Sequence, residues 1–455
     1  MISLTLSQLS QQLNGRLLGD DREIHSVCSD SRFIPKKSLF IALKGDKFDG
    51  HDFACLAYEN GANALLVSRE LPLDIPQVLV NDTQKAMGEM GAYVKGLIQL
   101  KSVALTGSNG KTSVKEMVAS ILSQQHKVLY TQGNFNNEIG VPLTLLRLEG
   151  DEEFGVFELG ANHAGEIDYT SSLVKPDVAL VNNVASAHLE GFGSLAGVAK
   201  AKAEIFNHLR LNGTAVINAD DAFASVMRDA ANQFTQLSFG IDSDADVRAI
   251  GLEPDHRGRY KFKLNYLGSS VSVSLPLSGR HQVSNALAAA TICLSLGLTL
   301  EDILAGLASI EPVKGRMLPL ELGRVRIIDD SYNANPSSVN AAIDWLQEVG
   351  GFRCLVLGDL GELGDNAARL HAEIGEYAKN QGIDALFSLG KLSENTSSAF
   401  GGQHQYELAP LVVCLINMMN QLQGDITVLV KGSRSAKMER VVEALEVAYG
   451  QGEFV

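Results

Sequence analysis

No apolar run in this chain approaches the ~20 residues needed to cross a bilayer, which excludes a helical membrane span. Cysteine is scarce. Cys28, Cys55, Cys293, Cys354 and Cys414 are odd in number, far apart and without metal-ligand spacing, so neither a disulfide scaffold nor a thiolate metal site fits. They read as reduced core residues of a cytoplasmic protein. Positive charge is also short: 38 Lys and Arg face 53 Asp and Glu, and the net charge of −15 argues against nucleic-acid or anionic-membrane binding. Residues 1 to 13 have a helical apolar pattern without a basic lead or cleavage site, so no signal peptide is expected. What remains is 45% apolar and 20% charged over 455 residues, an ordinary globular composition with room for about three domains. There is no internal repeat and no low-complexity segment.

The informative stretch is 101 to 117. Val103 to Leu105 reads as a buried strand, and Val114, Met117, Val118, Ile121 and Leu122 recur at helical spacing. Between them lie Thr106, Gly107, Ser108, Asn109, Gly110, Lys111 and Thr112. A glycine turn that opens a helix aims backbone N–H groups and the helix dipole at an anion. Lys111 would reach the β/γ-phosphates of a nucleotide, and the Thr112 hydroxyl would ligate Mg²⁺. Only Ser108 and Asn109 separate the glycines, where the usual phosphate loop has four residues, so this is a shorter variant.

Around that stretch the pattern predicts an α/β chain of three domains. Residues 1–82 form a small α/β unit with strands near 27, 38–43, 64–68 and 77–80 and a helix over 53–60. Two polar loops there, Ser29-Asp30-Ser31-Arg32 and the segment with Gly45, Phe48, Asp49, Gly50 and His51, follow strands and suit a ligand, or are surface turns. Residues 83–314 alternate strands (101–106, 127–131, 154–159, 177–184, 214–218) with helices (113–125, 141–147, 166–173, 195–209, 222–231), the signature of a doubly wound, mostly parallel sheet. A hairpin turning at 267–270 and a helix over 281–297 close the unit. Residues 315–455 read as a second Rossmann-like sheet, with strands at 325–329, 353–357, 384–389 and 426–430 and helices at 336–348, 366–380 and 435–448.

Several side chains then carry chemistry. Glu158 ends an apolar strand where such sheets bind ligands, and a carboxylate there can hold Mg²⁺ against phosphates. His188 follows the next strand and either completes the metal shell or is a solvent-facing loop residue. Lys202 falls with Val198, Ile205 and Leu209 on the apolar stripe of its helix. It either snorkels or, if buried, becomes a neutral amine able to take up CO₂ as a carbamate. Asn285 could read an adenine edge; helix capping there suits Ser278 better. Arg316 is a candidate clamp for a γ-phosphoryl group. Asp330, before Tyr332 and Asn335, offers a carboxylate to ribose hydroxyls, and is also a competent turn. Lys431, Ser433 and Arg434 end another strand with cations and a hydroxyl that suit a substrate carboxylate.

Residues 106–112, together with Gly133-Asn134-Phe135-Asn136-Asn137-Glu138-Ile139-Gly140-Val141-Pro142, Glu158-Leu159-Gly160-Ala161-Asn162-His163, Leu357 to Gly364 and Lys431-Gly432-Ser433-Arg434-Ser435, give the chain a resemblance to the Mur ligase family over essentially its whole length. The resemblance implies three domains closing over an ATP-dependent amide-bond synthesis in peptidoglycan assembly. It implies ATP and Mg²⁺ at Lys111, Thr112, Glu158 and His188, a carbamylated Lys202 as a further metal ligand, and nucleotide contacts from Asn285, Arg316 and Asp330. The substrates it implies are UDP-N-acetylmuramoyl-tripeptide, with its UDP-sugar end at 29–32 and 45–51 and further contacts at Asn134, Asn136 and Asn137, and D-alanyl-D-alanine at Lys431, Ser433 and Arg434. A monomer is expected. The shortened loop is shared with folylpolyglutamate synthases, so another amide ligase, a plain NTPase and a non-catalytic UDP-sugar binder stay open as alternatives.

Overall fold

The computed structural model describes residues 1–45, 47–186 and 189–450. His188 lies outside the described residues. The α/β class predicted from sequence is what forms: three mostly parallel sheets follow one another along the chain, with a two-stranded ribbon at the start.

In the first sheet Ser26–Cys28, Ser38–Ile41, Ala64–Val67 and Gln77–Leu79 run parallel, and Arg16–Leu18 adds an antiparallel edge. The opening helix is shorter than its apolar pattern suggests. Leu4–Thr5 pairs with Glu23–Ile24, and Thr5 then starts the helix Leu6–Gln12 through a reciprocal cap with Gln8. Cys28, Cys293 and Cys354 sit in the core as expected, but Cys55 is exposed and Cys414 half-buried. The helix Ala54–Glu59 buries only Ala54 and Ala57, and that face leaves Cys55 outside.

The central sheet runs, in spatial order, Val128–Tyr130, Phe154–Glu158, Lys101–Thr106, Val178–Val181, Thr214–Asn218, Thr235–Gly240 and Val247–Pro254, all parallel, then the antiparallel Arg259–Tyr266 and Ser269–Ser278. The hairpin turns on Leu267 and Gly268, whose positive φ of 48° and 80° match the tight turn that a twisted hairpin needs. Sequence periodicity predicts neither Thr235–Gly240 nor Val247–Pro254, because only Leu237 and Phe239 are large and apolar in the first of them. Alternation along Lys101–Thr106 sends Val103 and Leu105 to one face, against Val114 and Met117 of the helix Lys111–Leu122, and Ala104 to the other. The helix Thr83–Gly96, capped by Asp82, also has no sequence prediction. It buries Met87, Met90 and Val94 in a cluster that holds Leu39 and Leu66 of the first sheet and Phe157 of the second, so one apolar core spans both.

In the third sheet Val325–Asp330, Ile426–Lys431, Phe352–Gly358, Ala385–Leu389 and Gln403–Gln405 are parallel, with Leu318–Leu322 antiparallel at the edge. Pro336–Glu348 and Ala367–Asn380 cover one face, Leu408–Gln421 and Glu439–Gly450 the other. The last helix starts at Glu439 rather than 435. A single 3₁₀ turn, Arg434–Ala436, intervenes, and Lys437 leaves it at φ 51°.

The third domain leans on the second through Pro336–Glu348. Trp345 is buried, donates from Nε1 to the Arg257 carbonyl at 3.2 Å, and lies so close to Gly258 that a Cβ there would come within 2.4 Å of the indole nitrogen. Three residues on, Glu348 accepts from the Tyr260 hydroxyl at 2.8 Å. Trp345→Ala is expected to cost about 3–5 kcal/mol, as for other buried aromatics cut to alanine. Calorimetry should show it as a lowered unfolding midpoint; an unshifted one would mean that this seat contributes nothing.

Candidate functional site

The phosphate loop leaves the middle of the central sheet. Lys101–Thr106 lies between Phe154–Glu158 and Val178–Val181, and all three point their carboxyl ends at one cleft of about 860 Å³ between the second and third domains. The helix after the loop starts at Lys111 with no side-chain cap on its first N–H groups. Those donors therefore stay available to a ligand. Gly110 is required on two counts. Its φ is +77°, and a Cβ would sit 2.4 Å from Asn285 Oδ1 and 2.6 Å from Asn182 Nδ2.

Thr112 is the junction of the site. Its hydroxyl donates to Glu158 Oε2 at 2.9 Å and accepts from Arg316 Nη2 at 2.9 Å. Glu158 is buried, its other oxygen accepts from Asn136 Nδ2 at 2.8 Å, and its own N–H donates to Thr131 Oγ1 at 3.0 Å. The Arg316 guanidinium lies over the Tyr332 ring at 4.5 Å. Lys111 Nζ donates to the Gly107 carbonyl at 2.7 Å. Burial holds this ammonium below the usual lysine range; Glu158 works against that and Arg316 adds to it.

Lys202 does not snorkel. It is 2% exposed, and burial, helped by Lys111, pushes its pKa down to about 7. Among the described residues it has no carboxylate partner.

Of the residues singled out in the sequence, the cleft is lined by Ser108, Asn109, Gly110, Lys111, Glu158 and Lys202. Asn134, Asn136, Asn137, Asn285, Arg316, Asp330 and Lys431 also line it. Thr106 and Thr112 are buried beneath it. Asn285, on the cleft wall, is held by its neighbours. Its Nδ2 donates to Gln282 and its Oδ1 accepts from Asn182, each at 3.0 Å, an arrangement that packs the amide against Gly110. Ser278 is not a helix cap: its hydroxyl donates to Arg257, and Gly279 starts the helix. Lys431 is paired with Asp330 at 2.5 Å, and Ser433 accepts from the Gly361 N–H at 2.6 Å, so both brace the third domain. Arg434 stays exposed, with Glu439 at 3.0 Å.

The N-terminal candidates lie outside the lining of this cleft. Arg32 pairs with Asp30 at 2.7 Å and holds that carboxyl down at about 2. Ser31 is buried. Asp49 is held well below the carboxylate range by Arg69 and by the His51 backbone and ring, and buried His51 accepts from the Ser68 N–H at 2.9 Å. Gly50 presses on Leu43, where a Cβ would meet the carbonyl at 2.5 Å, and the Gly45 N–H closes the loop on Phe48. The Phe48 ring is left exposed.

Sequence reasoning missed three lining residues, Asn183, His281 and Asn335, and the buried Asn182 behind them. Asn182 and Asn183 fell inside a strand predicted to run to 184, but the ladder stops at Val181. Both side chains donate to the Asn109 carbonyl at 3.0 Å. Two amides at a strand's carboxyl end were the signal available. His281, pushed down to about 4 mainly by burial, opens the helix Arg280–Ser295 and is neutral near pH 7. Asn335 donates to Asn109 Oδ1 at 2.7 Å from across the domain boundary, which no sequence spacing reveals.

Comparison with known proteins agrees with this geometry. Residues 23–105 match the Mur ligase family catalytic domain, 105–293 the Mur ligase middle domain, and 315–434 the Mur ligase glutamate ligase domain. The chain is 50% identical over 449 residues to the UDP-N-acetylmuramoyl-tripeptide–D-alanyl-D-alanine ligase of Escherichia coli K12, covering 98% of this chain and 99% of that one. A crystal structure of MurF from Acinetobacter baumannii superposes with a TM-score of 0.94 at 38% identity, over 97% and 98% of the two chains. The Thermotoga maritima MurF ligase in complex with ADP gives 0.84 at 29% identity, over 94% and 98%. With full-length relatives at this identity and all three domains matched, the chain belongs to the Mur ligase family.

Proposed function

We propose that this chain is the ATP-dependent ligase that joins D-alanyl-D-alanine to the tripeptide carboxylate of UDP-N-acetylmuramoyl-tripeptide, releasing ADP and phosphate in peptidoglycan precursor synthesis. The names of its full-length relatives support the reading. The observation that carries it is the meeting of Lys111, Thr112, Glu158, Arg316 and Lys202 around one interdomain cleft. In this reading residues 1–82 take the UDP-sugar, 83–314 the ATP, and 315–455 complete the nucleotide site and seat the dipeptide. The enzyme works in the cytoplasm as a monomer.

A carboxylate is a poor acyl donor, so the tripeptide acid attacks the γ-phosphorus of ATP to give an acyl phosphate and ADP. Lys111, the loop N–H groups and Arg316 offset the charge that gathers on the transferring group. The amine of D-alanyl-D-alanine then attacks the acyl carbon, loses a proton, and expels phosphate as the amide bond forms. Water would consume the acyl phosphate, and a cleft walled by two domains excludes it.

Thr112 and buried Glu158 offer hard oxygen donors beside the phosphate loop, a set that fits Mg²⁺. That ion, when bound, would draw charge from the β- and γ-phosphates. Lys202 fits a carbamate. Its depressed pKa leaves the amine about half neutral near pH 7. The anion formed with CO₂ would face Lys111 and offer further oxygens to metal. Phe48, Asp30 and the 134–137 asparagines would meet the UDP-sugar substrate, and Arg434 the dipeptide carboxylate.

Phosphate release should require both UDP-N-acetylmuramoyl-tripeptide and D-alanyl-D-alanine; release with glutamate or a diamino acid instead would identify a different ligase. Lys111→Ala is expected to abolish turnover, and near-wild-type rates would refute the phosphate-loop assignment. Lys202→Ala should be inactive and partly rescued by short carboxylates. Because the free amine, not the ammonium, takes up CO₂, enzyme stripped of CO₂ should recover faster at pH 8 than at pH 6 when dissolved CO₂ is held equal at the two pH values. Equal recovery rates would count against the carbamate.

A further inference from the structure

Asn109, at the apex of the phosphate loop, is tied down on every side. Its N–H donates to Asn183 Oδ1 at 2.8 Å, and its carbonyl accepts from Asn182 and Asn183 at 3.0 Å each. Among the described residues its side-chain oxygen has one partner, and that partner belongs to the third domain: Asn335 Nδ2, at 2.7 Å. Asn335 is also the N-cap of Pro336–Glu348, where its Oδ1 accepts from the Ser338 N–H at 2.9 Å. A side chain that must accept from its own helix and donate across a boundary at once has to be an amide. Aspartate has no donor, and serine caps but is one atom too short.

The far half of the same helix is seated on the second domain by Trp345 over Gly258 and by Glu348 on Tyr260. Thirteen residues of helix make a rod of about 20 Å, stiff enough to move as one body. The loop's apex and the docking seat are therefore two ends of one rigid element.

We propose that Asn335 is a positioning residue for ATP binding: it sets the phosphate loop through Asn109, so that the loop takes its nucleotide-binding shape only when the third domain is docked. The inference deepens the ligase reading and rests on its nucleotide site.

Calorimetric titration of the full-length protein with ADP and Mg²⁺ tests it, using wild type, Asn335→Ser, Asn109→Ala and the double variant. Serine keeps the cap, so the unfolding midpoint should hold while the ADP Kd rises about three- to tenfold, the worth of one neutral hydrogen bond. The double variant should bind no worse than the weaker single variant, since both remove the same contact. In a coupled assay the KM for ATP should rise with kcat little changed. Trp345, the chain's only tryptophan, reports the seat directly. Its emission should respond to ADP in wild type, and only at higher ADP in Asn335→Ser. Unchanged ADP affinity in Asn335→Ser, or single effects that multiply in the double variant, would overturn this inference alone. Wild type that fails to bind ADP would overturn the nucleotide reading with it.

Discussion

The site depends on how a very short loop is kept open. Two residues between Gly107 and Gly110 leave no slack, so the backbone must reach φ +77° at Gly110 and hold it without a side chain of its own. Asparagines supply the support. Asn182 and Asn285 lie where a Cβ on Gly110 would be, and Asn182 and Asn183 hold the carbonyl of Asn109. These amides satisfy loop groups that point inward and leave the helix's first N–H groups uncapped for an anion. Neutral amides suit this work better than ions would, because a fixed charge under the loop would bias it for or against the phosphates it has to take up and release.

Charge is arranged by the same logic at larger scale. The protein carries −15 overall, yet its substrates, a nucleotide and a UDP-sugar acid, are anions. Attraction therefore has to be local and buried, where low dielectric strengthens it. Lys111, Lys202, Arg316 and Lys431 all line the cleft, but only some of that charge is free. Lys431 is neutralised by Asp330, and the lowered pKa of Lys202 takes part of its charge away. Lys111 and Arg316 lie one on each side of the domain boundary.

Much of this was legible in the chain. The phosphate loop, Glu158, Lys202 and Arg316 were each marked by position: a glycine turn after an apolar strand, a strand's last residue, a cation on an apolar stripe, a cation at a domain junction. Residues whose role depends on contacts far along the chain were not. Asn335 meets Asn109 over 226 positions, and Trp345 meets Arg257 over 88. The polar loops of the first domain misled in the other direction. Asp49, Gly50 and His51 have the composition of a binding loop, but most of their groups are used in folding that loop against Leu43, Ser68 and Arg69. Sequence marks a polar turn; only the structure shows which of its groups remain unspent.

Arg316 shows why the domains must be treated as one device. Its guanidinium donates to the hydroxyl of Thr112 while stacking on Tyr332 of its own domain. The guanidinium occupies one lone pair of that hydroxyl, which a bound cation would otherwise be free to take, and its charge sits beside Glu158. Arrival of a metal with its nucleotide would therefore have to turn Arg316 away from Thr112, toward the phosphates. The Tyr332 ring, 4.5 Å away, gives the guanidinium a face to stack on within its own domain. Arg316 thereby ties Thr112 of the second domain to Tyr332 of the third.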